Sequence, residues 1–233
     1  MKNHIRPIDI AKRLKVSTGT LRSYERRGIV PATKRLDTGY RIYTEEHVAY
    51  FECIVAMSPG FGMDITSAVL KKLQQKKLDS ALWIINETQA ANYQEKELAA
   101  NILKDLNNIV DPPSMENKQM TIGEVANKAN IAASTIRYWE KEGYVISMRG
   151  DNKYRYFNSY QFIKILLMKL LENTVYSQES VQLKNSVRSL TEYNIEGAKR
   201  IVKECQEHLN KRNQEQLHGQ YYLYQLCKKL GLN

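Results

Sequence analysis

Residues Thr20-Leu21-Arg22-Ser23-Tyr24-Glu25-Arg26-Arg27-Gly28-Ile29-Val30 return 115 positions later as Thr135-Ile136-Arg137-Tyr138-Trp139-Glu140-Lys141-Glu142-Gly143-Tyr144-Val145. A second echo follows each copy: Gly39-Tyr40-Arg41-Ile42-Tyr43, then Lys153-Tyr154-Arg155-Tyr156-Phe157, in the same order and with one residue lost in between. A period this long exceeds the roughly 20 to 50 residues of a solenoid unit, so each copy is a whole domain. The chain must therefore fold as two related domains, and its 233 residues are enough for each to bury a core.

In the first copy Ile8, Ala11 and Leu14 recur at helical spacing and predict a short helix. Lys15-Val16-Ser17 forms the turn, with Ser17 placed to cap a second helix running to about Arg27. Gly28 supplies the left-handed residue past its end, and Pro31 bars a return to helix. Residues 31–43 read as an extended basic hairpin turning at Asp37-Thr38-Gly39. Thr44 then caps a helix carrying Val48, Phe51, Cys53, Ile54 and Val55. The second copy repeats the plan. Ile122, Val125, Ala126 and Ala129 mark its first helix, and Ser134 to Glu142 its second, closed by Gly143. The hairpin spans Arg149 to Arg155, and Asn158 caps a helix through Phe162, Leu166 and Leu170. Helix, turn, helix and a two-stranded wing make each copy a winged helix-turn-helix.

The expected fold is mainly α: two winged helix-turn-helix domains, each followed by helices that include a long coiled-coil-like one. One such helix, from about Asp79 to Val110, carries Leu82, Ile85, Thr88, Ala91, Leu98, Ile102, Leu106 and Ile109. The other, over 196–230, carries Ala198, Ile201, Val202, Cys205, Leu209, Leu217, Tyr221, Tyr224 and Leu230. They echo one another, Ala81, Ile84 and Glu87 matching Ala198, Ile201 and Glu204, and each apolar stripe needs a partner. Asp111-Pro112-Pro113-Ser114 is the proline pair between the halves. The expected organisation is a first winged domain at 1–60, a connector with its pairing helix at 61–110 and a linker at 111–119. The second winged domain then occupies 120–172, and a C-terminal region with the other pairing helix occupies 173–233.

The net charge of +10 is unevenly spread. Residues 1–60 hold +5 and 115–170 hold +4, against −1 for 61–114 and +2 for 171–233. Positive charge thus follows the repeat, which points to a nucleic-acid partner gripped at two places rather than to an evenly solvated surface. Cys53, Cys205 and Cys227 are sparse and odd in number, so they read as core thiols in a reducing compartment. No run of about 18 apolar residues is present, so no segment is expected to span a bilayer, and the N-terminus lacks a signal-peptide core. The expectation is a cytoplasmic, nucleoid-associated protein with no membrane partner.

With Thr20-Leu21-Arg22, Tyr24-Glu25, Gly28-Ile29 and Gly39-Tyr40-Arg41-Ile42-Tyr43, the first copy resembles the MerR family of bacterial transcription regulators. In the second copy Thr135-Ile136-Arg137-Tyr138-Trp139-Glu140, Gly143 and Tyr154-Arg155-Tyr156 match the same pattern. Gly60-Phe61-Gly62-Met63 resembles the family's linker toward its dimerisation coil. The resemblance covers about 110 residues strongly. It implies binding to double-stranded DNA, with RNA polymerase as a further partner where transcription is controlled, and a phosphate contact by the Tyr138 hydroxyl. Ser23 stands at the matching place in the first copy, so that contact is missing there and the first module is expected to grip less firmly.

The residue types also make physical sense without the family. A helix entering the major groove needs small or hydrogen-bonding residues at its start, here Ser17, Thr18 and Thr20, and Ala133, Ser134 and Thr135. Arg22 and Arg137 sit one turn inward, in reach of guanine or phosphate. On the wings Lys34, Arg35 and Arg41, with Arg149, Lys153 and Arg155, would straddle backbone or narrow groove. Tyr24 and Trp139 read as packing residues, and Glu25 and Glu140 as structural carboxylates pairing with a nearby arginine. Trp83, Tyr93, Tyr221, Tyr222 and Tyr224 read as core or coil packing rather than as a ligand pocket.

No phosphate-cradling glycine loop, nucleophile elbow or metalloprotease histidine pair is present, so no enzyme is expected. Cys205 and His208 share a helix face, but without further ligands they predict no metal, and no cofactor is expected. The leading reading is a transcription regulator whose two domains form an internal pseudo-dimer over two different half-sites. A homo-oligomer through the long helices is the other assembly. A DNA-architectural, segregation or mobile-element accessory protein is the alternative function.

Overall fold

The computed structural model describes residues 5–37, 39–109, 119–151, 153–172 and 178–232. Thr38 in the expected first turn, Asn152 in the second and all of the expected linker except residue 119 lie outside the described residues. Two compact units divide the chain, Met1–Asn92 with Asn210–Asn233, and Tyr93–Leu209.

In the first unit α1 (Pro7–Leu14) and α2 (Thr18–Arg26) form the helix-turn-helix. Proline opens α1, where its missing N–H is harmless, and Lys15 ends it in the left-handed conformation at φ 53°. Ile10 and Ala11 are the buried face of α1; Ile8, taken as a core position from its spacing, is exposed. Ser17 caps α2 by accepting from the Thr20 N–H at 2.9 Å, as its position predicts. Strands β1 (Lys34–Arg35) and β2 (Arg41–Ile42) make the wing, and Ile5 bridges to Tyr43 beside it.

Helix α3 (Glu45–Gln74) is two helices joined at Gly62, whose φ of 75° breaks the helical path. Thr44 and His47 form a capping box at its start, the Thr44 N–H donating to Nδ1 of His47 at 3.2 Å. By length and mean hydropathy, 1.4 over its most apolar 18 residues, α3 could cross a membrane, which corrects the expectation that no segment qualifies. Half of that stretch is buried in the unit, and Tyr50, Phe51, Ile54, Met57, Leu70 and Leu73 belong to its core. Core packing explains the apolarity.

Helices α4 (Leu78–Asn108) and α9 (Ile195–Lys229) each contribute one half to each unit. In the first unit Ala81 and Ile85 of α4 share the core with Leu223, Leu226 and Cys227 of α9. Helices α3 and α9 approach very closely here. A Cβ on Gly60 would stand 2.5 Å from the Gln216 nitrogen, and one on Gly219 would stand 2.9 Å from the Met57 Cα. Gln216 spans the crossing by donating from Nε2 to the Gly60 carbonyl at 3.1 Å.

That crossing corrects the expected stripe. In the C-terminal half of α9 the buried row is Gln216, Gly219, Leu223, Leu226 and Cys227, whereas Leu217, Tyr221 and Tyr224 are exposed, Leu217 at 72%. Leu82 and Trp83 of α4 are exposed as well, so the packing role expected for Trp83, Tyr221 and Tyr224 does not hold; Tyr222 is half-buried. Cys53 and Cys227 are buried free thiols in this core, and burial pushes both up.

The second unit repeats the plan with β3 (Met120–Thr121), α5 (Ile122–Ala129), α6 (Ala133–Lys141), β4 (Met148–Arg149) and β5 (Arg155–Phe157), followed by α7 (Ser159–Glu172) and α8 (Gln178–Ser189). Its sheet has three strands in the order β3-β5-β4. Thr121 and Glu124 form a capping box on α5, and Asn130 ends that helix at φ 49°. Asn158 caps α7 by accepting from the Gln161 N–H at 2.8 Å, as predicted. Within this unit Ala99, Ile102 and Leu106 of α4 share a core with Ala198, Ile201, Val202, Cys205 and Leu209 of α9. Cys205 is a buried free thiol pushed up to about 12 by burial, with the Glu204 charge adding to it. Tyr93, expected to pack, is exposed.

Candidate nucleic-acid interface

Helix α2 buries Leu21 and Tyr24, which leaves Arg22 and Arg26, four residues apart, on its exposed side. At its start the Ser17 and Thr20 hydroxyls bond each other at 2.8 Å, with Ser17 exposed and Thr18 and Thr20 half-buried. Helix α6 buries Ile136 and Trp139 in the same phase and exposes Ser134, Arg137, Tyr138 and Lys141, with Ala133 and Thr135 half-buried. Its cap position is Ala132, which offers no side-chain bond. Tyr24 and Trp139 are buried in their cores, Tyr24 with its ring centroid 6.4 Å from that of Phe51.

The wings are tied to these helices by one carboxylate each. Glu25 accepts from the Thr33 hydroxyl at 2.8 Å with Oε1 and from Arg41 Nε at 2.6 Å with Oε2. Thr33 precedes β1 and Arg41 lies on β2, so Glu25 holds both strands to α2. Glu140 does the same in the second unit, accepting from the Ser147 hydroxyl and from Arg155 Nε, the latter at 2.6 Å. Burial pushes the Glu25 carboxyl up, but the bonds from Thr33 and Arg41 and the nearby arginine charges outweigh it and leave it below the ordinary carboxylate range. Glu140 has the same balance, with Ser147 and Arg155 in those places. Arg41 and Arg155, expected to reach toward a ligand, are both half-buried and engaged in these clamps.

The remaining wing cations are exposed. Lys34 pairs across from Ile42, and Arg35 from Arg41, with Arg35 Nη1 donating to the Gly39 carbonyl at 3.4 Å. In the second wing Met148 pairs across from Tyr156, and Arg149 from Arg155, with Arg149 Nη1 donating to the Lys153 carbonyl at 3.2 Å. Lys153 itself is exposed and takes φ 60° where the first wing has Gly39 at 81°. Each unit thus presents, on one helix and one hairpin, an exposed arginine, small polar residues at a helix start and wing cations. That arrangement suits a groove lined by phosphate.

Sequence reasoning anticipated the carboxylate–arginine pairing but not the hydroxyls that complete it, Thr33 and Ser147. It also missed the residues that brace the loop leaving each recognition helix. Gln74 Nε2 donates to the Gly28 carbonyl at 3.0 Å, and the Arg188 guanidinium lies over the Tyr144 ring at 5.6 Å. Both lie on the helix before the long one, at a distance in sequence that no motif spans.

A family model described as MerR family regulatory protein matches residues 6–43 and 121–157, which are the two helix-turn-helix and wing segments. The chain is similar to the HTH-type transcriptional regulator AdhR of Bacillus subtilis (strain 168), 44% identical over 48 residues. That match covers 21% of this chain and 34% of the relative. It is also similar to the HTH-type transcriptional regulator YfmP of the same organism, 27% identical over 104 residues, 44% of this chain and 72% of that protein. No solved structure matches the chain significantly.

Proposed function

The chain belongs to the MerR family of regulatory proteins, and we propose that it regulates transcription by binding two unlike half-sites of double-stranded DNA with two modules of one chain. The observation that carries this reading is the duplicated clamp of Glu25 and Glu140, which presents the same helix-and-wing frame twice with different side chains on it. Where bases would be read, Thr18, Gly19 and Ser23 stand against Ala133, Ser134 and Tyr138. Identical domains in a homodimer demand a palindrome, and different domains do not.

In this reading residues 1–60 and 120–172 are the DNA-reading modules, 61–110 and 173–233 supply the pairing helices, and 111–119 link the halves. Ser17, Thr18, Thr20 and Arg22, with Ala133, Ser134, Thr135, Arg137 and Tyr138, meet the major groove and its rim. Lys34, Arg35, Arg149 and Lys153 meet backbone, while Arg41 and Arg155 act mainly by holding the wings in place. The protein works in the cytoplasm on the nucleoid, and RNA polymerase is its further partner. The internal pseudo-dimer is supported by the cores. The first turns of α4 share a core with the last turns of α9, and the last turns of α4 with the first of α9, the order an antiparallel pair produces.

Selection of binding sequences from a random pool, followed by footprinting on genomic fragments, tests this. Two unlike half-sites lying within promoters are expected. A perfect short palindrome would count against the unlike modules, and sites scattered outside promoters would favour an architectural role. Light scattering is expected to give a mass near 27 kDa. Twice that mass would point to helices exchanged between two chains.

A further inference from the structure

Successive residues of a strand point to opposite faces, so the register fixes what each wing shows on either side. In the second wing Ser147 and Arg155 both bond Glu140 and turn one face toward α6. The opposite face therefore carries Ile146, Met148, Tyr154 and Tyr156, with Met148 directly across from Tyr156. Ile146 and Tyr154 are each 65% exposed and Met148 46%. That face bears no cation, although Arg149 and Lys153 flank it. The same register in the first wing places Lys34 where the second has Met148. The base of the second wing is also fixed in a way of its own. The Ile146 N–H donates to Oε1 of buried Gln161 at 2.9 Å, whereas His47, at the matching place in the first module, bonds Thr44.

We propose that the outward face of the second wing reads the minor groove beside its half-site by apolar contact and selects A·T pairs there. The inference rests on the DNA-binding reading. A largely apolar strip edged by cations complements a groove whose rims are phosphate and whose walls are sugar. On the groove floor a G·C pair presents the guanine 2-amino group and an A·T pair does not. Isoleucine has no acceptor for that amino group and the methionine thioether is a weak one, so a G·C pair beneath Ile146 and Met148 loses a hydrogen bond to water that these two side chains do not replace, while the Tyr154 and Tyr156 hydroxyls are left to the phosphate rims. Lys34 on the first wing meets phosphate, which carries no sequence information. The two modules thus divide the work, the first contributing more ionic affinity and the second more selectivity in the flank.

The test uses the full chain and synthetic duplexes carrying the selected site. The flank of the second half-site is built from A·T, G·C or inosine·C pairs. Inosine lacks the 2-amino group, so its pair resembles A·T in the minor groove while keeping the major-groove face of G·C. Equal binding to the A·T and inosine·C flanks is expected, with G·C weaker by about tenfold. Met148→Lys should shrink that penalty below about threefold and steepen the dependence of binding on salt by about one counterion. Equal binding to G·C and inosine·C would overturn the proposal, as would a penalty that survives both Met148→Lys and Ile146→Ser. Both residues are exposed, and thermal melts of the variants that match the parent chain confirm that the fold is kept. Arg137→Ala separates the two levels. If it leaves binding unchanged, the DNA-binding reading of this module has failed and the wing inference fails with it. If it weakens binding while the wing variants leave the G·C penalty unchanged, the wing inference alone has failed.

Discussion

Across from Ile42 the first wing carries Lys34; across from Tyr156 the second carries Met148. Around the recognition helices Ser23 is matched by Tyr138, Arg27 by Glu142, and Ser17 by Ala132. Beneath these exchanges the frame hardly moves. Lys15 and Asn130 turn left-handed at φ 53° and 49°, Gly28 and Gly143 at 67° and 77°, and Lys76 and Tyr193 at 57° and 59°. Gly28 and Gly143 suit that conformation, and asparagine tolerates it, whereas lysine and tyrosine seldom adopt it, so at Lys15, Lys76 and Tyr193 the turn is set by the frame and not by the residue type. Glu25 and Glu140 fasten both frames identically. The difference teaches that backbone geometry and one half-buried carboxylate specify the module, while its exposed face is free to diverge.

The sharpest way to break the comparison is at a place where the units differ in packing. Gly219 lies against the Met57 Cα, whereas Ile102, at the matching turn of α4, is a buried side chain in the second unit. Gly219→Val should destabilise the first unit by about 3 kcal/mol, because the obstacle is backbone and cannot rotate away. Thermal unfolding should then show an early transition that reports the first module alone. A single transition unshifted from the parent chain would contradict the close crossing.

Recognition comes next in size. Arg22→Ala and Arg137→Ala should each weaken specific binding by about 1–3 kcal/mol if the arginine meets a base. The second should cost more, since Tyr138 adds a hydroxyl beside Arg137 and the first module has Ser23 in that place. Equilibrium binding to the selected duplex decides the order, and an unchanged footprint for either variant would mean that the module has another task.

The clamps predict a smaller and symmetrical effect. Both carboxyls sit below their usual range in the fold, so their contribution is fully present above about pH 4.5 and is lost as pH falls through their lowered values. Glu25→Gln and Glu140→Gln should each cost about 1–2 kcal/mol near neutral pH by removing a charge-assisted bond. The cost should fade in acid, where the parent chain loses the same charge. Unequal costs measured by denaturant unfolding would show that one wing has a second fastening. The smallest effect is a gain: Ser23→Tyr should strengthen the first module by about 1 kcal/mol if its hydroxyl reaches phosphate as that of Tyr138 would. No gain in affinity would place the Tyr138 hydroxyl away from the backbone.

Much of the fold and part of the candidate site were legible in the residues. Ser17, Thr44 and Asn158 cap the helices they precede, and Gly28 and Gly143 turn where the helices end, because these features act within three or four residues. The repeat gave two modules and their charge, and the paired role of Glu25 and Glu140 followed from an acid facing a basic wing. The hydroxyls of Thr33 and Ser147, and the braces at Gln74 and Arg188, could not be found that way. Their partners are distant in sequence and their residue types are common on any surface.

The long helices mark where sequence alone stops. Their existence, length and need for partners were fixed by the spacing of apolar residues, which is a property of one chain segment. Which side of α9 is buried was decided by contact with α3. There the backbones come so close that only Gly60 and Gly219 fit, and the buried row begins with Gln216 and Gly219. Leu217 and Tyr224 each stand one residue on from that row, about 100° around the helix, and are exposed with Tyr221. Period is local and is written in the sequence. Phase depends on the distance to a neighbouring backbone, and only the tertiary structure sets that distance.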